Sequence, residues 1–122
     1  MTTATGSGYV PGFLSQITSN IEKAPNLFAY WDSSNNPNFT NSQAWGVSAL
    51  ATGATGGDAI ATILGANYIS DGQKRGLGLG DFVLVTTDYV SVGTDVGRLA
   101  FVSAVQATSS GYGVTLTLIS TS

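Results

Sequence analysis

Three short apolar runs near the C-terminus limit what this chain can fold into. Phe82–Thr87 reads FVLVTT, residues 98–105 read RLAFVSAV and residues 114–120 read VTLTLIS. Each has the length and β-branched content of a strand, and polar, glycine-bearing stretches at 88–97 and 106–113 separate them. That spacing predicts an antiparallel meander. In the last run Val114, Leu116 and Leu118 share one face while Thr115 and Thr117 share the other, so one face is covered and one is wetter. In the first run Phe82 to Val85 are apolar on both faces, which places this strand centrally.

Upstream the pattern is more broken. Residues 26–31 (NLFAYW) predict a strand, and residues 32–41 (DSSNNPNFTN) are dense in turn formers and predict a loop. A short extended piece is expected around 44–47, a flexible stretch at 51–57 (ATGATGG), and a further strand at 58–64 (DAIATIL). A turn or helical turn is expected near 70–74. Phe13, Ile17 and Ile21 recur every four residues with Leu14 beside them, which predicts a short helix that Pro25 stops. Residues 1–12 (MTTATGSGYVPG) are small and polar and predict an extended arm. The expected fold is all-β: a small antiparallel sandwich or open barrel with an extended N-terminal arm and one short N-terminal helix. Residues 1–25 would form the arm and helix, and residues 26–122 the β domain; 122 residues suit a single core.

Composition narrows the chemistry. The chain has neither Cys nor His, which removes thiolate metal ligands, disulfides and the commonest general base. Charged residues are 9% of the chain, against about 25% in an ordinary soluble domain. The mean hydropathy is +0.21. Low charge with high apolarity suggests a surface largely covered by neighbours. The cations are Lys23, Lys74, Arg75 and Arg98, too few and too scattered to follow a phosphate backbone, so direct nucleic-acid binding is not expected. No run approaches the roughly 20 apolar residues of a membrane-spanning helix. Residues 1–12 have neither a basic n-region nor an apolar h-region, so assembly in the cytoplasm is expected.

Each motif has a plain structural reading. Gly76-x-Gly78-x-Gly80 is followed by Asp81 and a β run, not by the helix N-terminus that a dinucleotide loop requires, and it predicts a tight turn before a strand. Asp32, Asp58, Asp71, Asp81, Asp88 and Asp95 form no D-x-D-x-D-G array and are expected in turns and caps. No serine has a nucleophile-elbow context, and a paired-carboxylate cleft is hard to build from so few charges. Asn38-Phe39-Thr40 fits a glycosylation sequon by accident. Tyr30, Trp31, Phe39 and Trp45 gather around the polar loop, where they can anchor an interface, stack on a sugar or cover the end of the core. No catalytic residue, cofactor or metal is expected. The candidate interface residues are Tyr9 and Val10 of the arm, Phe13 and Ile17 of the helix, and Tyr30, Trp31 and Trp45.

From residue 58 onward the chain resembles small virion proteins of tailed bacteriophages. The resemblance lies in Ala66-Asn67-Tyr68-Ile69-Ser70-Asp71, then Gly76-Leu77-Gly78-Leu79-Gly80-Asp81-Phe82-Val83-Leu84-Val85, then a Ser/Thr-rich meander. It implies a head decoration (cement) protein in the virion, commonly a homotrimer, that bridges major capsid subunits and stabilises the head. No catalytic residues come with such a family. The arm and the helix stand outside the pattern. The alternative expectation is a tail, fibre or adhesin module that binds a glycan or another virion protein.

Overall fold

The computed structural model describes residues 2–18, 24–39, 53–106 and 111–119, and β3 (Phe82–Thr87) lies at the centre of its five-stranded sheet. On one side β3 pairs antiparallel with β4 (Val96–Val105), and β4 pairs antiparallel with β5 (Val114–Leu118). This is the meander expected from the sequence, with its first strand central. On the other side β3 pairs parallel with β2 (Leu27–Asp32), and the short β1 (Leu14–Gln16) closes the edge antiparallel to β2. The sheet is therefore mixed, where a purely antiparallel arrangement was expected. A parallel pair needs a long crossover, and of the chain between β2 and β3 the described residues 60–77 pack over one face of the sheet.

Alternation sets the two faces. Phe28 and Tyr30 of β2, Val83 and Val85 of β3, Ala100 and Val102 of β4 and Val114 and Leu116 of β5 point inward and are buried. A register shift between Val102 and Ala104 keeps β4 and β5 in phase past Ser103. Among the described residues the layer over this inner face contains no second sheet. It consists of Val10 and Phe13 from the N-terminal segment, Ile63 from α1 (Ile60–Leu64), and Ile69 and Leu77 around the 3-10 turn Gly72–Arg75.

Three local expectations are corrected. The helix expected from Phe13 onward is a 3-10 turn, Pro11–Phe13, followed by β1; Ile21 lies outside the described residues. Phe13 is buried while Ile17 is 57% exposed, so the two do not form one stripe. A helix of about three turns is marginal alone, and the open edge of β2 offers this segment ladder hydrogen bonds instead. The run 58–64 is expected to be a strand, but Ile60–Leu64 within it form a helix. Ile60, Ile63 and Leu64 have the i, i+3, i+4 spacing of one helical stripe, and all three pack on the core. The segment 2–12, expected as an extended arm, does not stand off: residues 2–10 have no regular structure and pack on the domain, and Pro11 opens the 3-10 turn. Ala4, Ser7, Val10 and Pro11 are buried, the Ala4 N–H donates to the Tyr89 carbonyl at 2.7 Å, and the Val10 N–H donates to the Tyr30 hydroxyl at 3.0 Å. The extended piece expected around 44–47 lies outside the described residues.

Candidate interaction face

The outer face of the sheet is apolar and open. Its middle row runs across β1 to β4 as Ser15, Ala29, Leu84 and Leu99, and Ile119, just past the end of β5, continues it with its N–H on the Leu99 carbonyl. Beside it lies a row of Leu27, Phe82, Phe101 and Thr117, continued at the β1 edge by Ile17, whose N–H donates to the Leu27 carbonyl. Trp31, Thr86 and Gly97 complete the other flank. None of these residues is charged. Leu84, Leu99, Trp31 and Ile119 are 42%, 41%, 37% and 37% exposed. Side chains that alternate inward and outward normally give an antiparallel sheet a polar outer face; here Leu and Phe stand where Thr and Lys would be ordinary. Contiguous apolar patches of this kind mark interaction sites.

A depression of about 370 Å³ opens beside this face, lined by Phe13, Ile17, Ala29 and Trp31 and closed by the loop at Asn36, Pro37 and Asn38. Turn hydrogen bonds hold that loop: Asn36 N–H to the Ser33 carbonyl, Phe39 N–H to the Asn36 carbonyl, and the Asn36 side-chain amide to the Trp31 carbonyl. Trp31 is fixed in turn by Asp95, which accepts from its indole N–H at 3.2 Å and from the Ser33 hydroxyl.

The buried carboxylate of Asp32 lies on the opposite side of the sheet, in line with Phe28 and Tyr30. Asp32 has no accessible surface. Its carboxylate accepts the Ser7 hydroxyl at 2.5 Å and the Asp58 N–H at 2.9 Å, and the Tyr68 hydroxyl, which also donates to Asp58, lies 3.4 Å away. Burial pushes the Asp32 carboxyl up to about 7, against the Asp58 N–H and the Ser7 hydroxyl, which pull it down; the Asp58 charge adds to the rise. Burial likewise raises the phenols of Tyr9, Tyr30 and Tyr68, whose rings pack against one another.

Asp88 is shallow but fully covered, and it ties three loops together. It accepts the N–H groups of Gly57, Gly93 and Ser34 at 2.8, 2.8 and 3.1 Å and the Ser34 hydroxyl at 2.5 Å. Burial opposes its ionisation, yet these donors outweigh burial and hold its pKa below the ordinary carboxylate value. Asp81 accepts from Asn26 and Gly78, fixing the turn before β3, and Asp71 accepts from Tyr9 and pairs with Arg75 at 2.7 Å. Every Asp side chain is thus used to hold loops. Among the described residues no group of three acidic side chains is placed to hold a metal ion.

The expected interface residues separate into two sets. Val10, Phe13 and Tyr30 are core, at 2%, 3% and 0% exposure, and are not available to a partner. Tyr9 is half-buried with its hydroxyl on Asp71. Ile17 and Trp31 are exposed and adjoin the outer face, whereas Trp45 lies outside the described residues. The expectation missed Leu84, Leu99, Phe82, Phe101 and Ile119. For Phe82 and Leu84 the signal is in FVLVTT, apolar on both faces; for Leu99 and Phe101 it is in RLAFVSAV, and for Ile119 at the end of VTLTLIS. No helix among the described residues is long and apolar enough to cross a membrane. No family model, curated protein or solved structure matches the chain.

Proposed function

We propose that this chain is a structural subunit that works by docking onto folded protein, and that its setting is a tailed-phage particle, as a head decoration protein. The observation that carries the docking part is the uncharged apolar outer face of the sheet, with Leu84 and Leu99 at its centre. Solvent exposure of such a face is unfavourable at about 25 cal/mol per Å² of apolar surface, and covering it recovers that free energy. The low charge of the chain as a whole supports the same reading. The particle setting is supported by the sequence resemblance from residue 58 onward. In this reading the chain contributes shape and buried contact, many copies act together, and modest single contacts add up through avidity.

Density-gradient sedimentation of particles from the producing cells tests the proposal. The chain is expected to travel with the particle at a fixed number of copies per capsid subunit. Recovery of the chain only as free protein at the top of the gradient overturns it.

A second reading has a specific observation behind it. The depression beside Trp31 presents a partly exposed indole next to Asn and Pro, the combination of stacking surface and amide groups that suits a sugar ring. Titration with a panel of oligosaccharides, monitored by Trp fluorescence in the parent and in Trp31→Phe, separates the two readings. A saturable change that Trp31→Phe abolishes favours the glycan-binding module.

A further inference from the structure

We infer that the outer face of the sheet is the contact between two copies of this chain, packed face to face about a two-fold axis. The inference rests on the docking reading above and names the partner on that face.

Three observations select a second copy. The first is area. Strands lie about 4.8 Å apart and outward-facing rows about 6.6 Å apart, so five strands and three rows give a footprint of at most about 24 by 20 Å. That is roughly 500 Å² per copy and about 1,000 Å² for two copies together, the size at which a weak specific interface begins. The second is charge. Among the described residues the face carries no charged side chain, while the chain has a net charge of −3. Two copies of an acidic chain repel, and two facing uncharged patches add no like-charge contact to that repulsion. Asp95, on Trp31, stands at the rim. The third is architecture. The described residues form one sheet with a covered inner face and a bare outer face, and two such sheets stacked about 10 Å apart make a sandwich core from their facing rows. The sandwich expected within one chain forms between two. A single flat patch that contacts itself closes with two-fold symmetry, so the geometry favours two copies over the threefold assembly that the resemblance implies.

Light scattering on the purified full-length chain over a concentration series is the test. The weight-average mass is expected to rise from 12.4 kDa to twice that value as concentration passes through the micromolar range. Leu84→Lys is expected to stay at the single-chain mass throughout. Its thermal midpoint should match that of the parent when both are measured dilute, where both are single chains. Leu84→Thr keeps a strand-forming residue and guards against loss of the fold; it is expected to weaken pairing at least tenfold with an unchanged circular dichroism spectrum. A single-chain mass for the parent at the highest concentration overturns the inference, as does a three-chain mass or unaltered pairing in both variants. A single-chain parent whose midpoint falls in Leu84→Lys assigns the face to another part of the same chain, which also overturns it. None of these results touches the particle sedimentation, so the docking reading stands or falls separately.

Discussion

The carboxylate of Asp32, at the end of β2, accepts the backbone N–H of Asp58 at 2.9 Å and so ties the central sheet to the segment that leads into α1. The Tyr68 hydroxyl donates to the Asp58 carboxylate, and Ser7 brings the N-terminal segment to the same point. One buried acid therefore joins parts of the chain that are far apart in sequence. Burial without a cationic partner is what raises its pKa.

The first expectation concerns pH. The folded Asp32 carboxyl titrates near 7, above its ordinary 3.8, so the folded state holds a proton that the unfolded state has released. Its contribution is full below about pH 4 and is lost as pH rises through 7, by up to about 4 kcal/mol for a shift of this size. Urea unfolding of the parent between pH 4 and 8 should show stability falling across this window. Asp32→Asn, which keeps an acceptor for the Asp58 N–H and can donate to the Ser7 oxygen, should flatten the profile. Equal slopes in parent and variant would contradict this account.

Asp88 behaves in the opposite sense. Its folded pKa is held below the ordinary value, so its contribution is present above the carboxylate range and is lost only as pH falls through the lowered value. Asp88→Ala removes the acceptor for Gly57, Gly93 and Ser34 together and leaves the buried Gly57 N–H and two part-buried N–H groups without it. We expect a loss of about 3 kcal/mol or more at neutral pH, measured by chemical denaturation, and a smaller difference from the parent at pH 2 to 3.

The N-terminal segment is expected to be required for folding. Val10 is 2% exposed within the core, and Ser7 bonds to Asp32. Deleting residues 2–10 should abolish the cooperative thermal transition and collapse the dispersion of amide resonances. Val10→Ala should keep the fold and cost about 1–3 kcal/mol. A truncated chain with native spectra would show that the segment is only laid on the surface.

Two glycines should respond oppositely to alanine. A Cβ at Gly57 would overlap the Asp32 carbonyl and the Thr87 hydroxyl, both held in buried structure. Gly57→Ala is expected to destabilise by about 2–3 kcal/mol. At Gly97, on the outer face, the nearest atom to an added Cβ is the Thr86 hydroxyl at 3.6 Å, an ordinary contact. Gly97→Ala should be neutral or stabilising by a few tenths of a kcal/mol, because the unfolded chain loses freedom. Differential scanning calorimetry of the two variants distinguishes them.

By itself the sequence determined the strands whose signal is local. The runs at β2, β3, β4 and β5, the polar loop after Asp32 and the turn before Asp81 are legible because alternation, β-branching and turn residues act over a few positions. It also determined the low charge and the lack of His and Cys. Tertiary structure decided what depends on partners distant in the chain. Phe13 and Ile17 fit a helical stripe, but the open edge of β2 made the segment after Phe13 a strand. Residues 60–64 became helical because the crossover over the inner face offered a surface for one stripe. The parallel pairing of β2 with β3 could not be read at all, since register between strands some fifty residues apart leaves no local mark. The same holds for which side of FVLVTT is covered: both sides are apolar in the sequence, and only the folded chain leaves Leu84 facing outward.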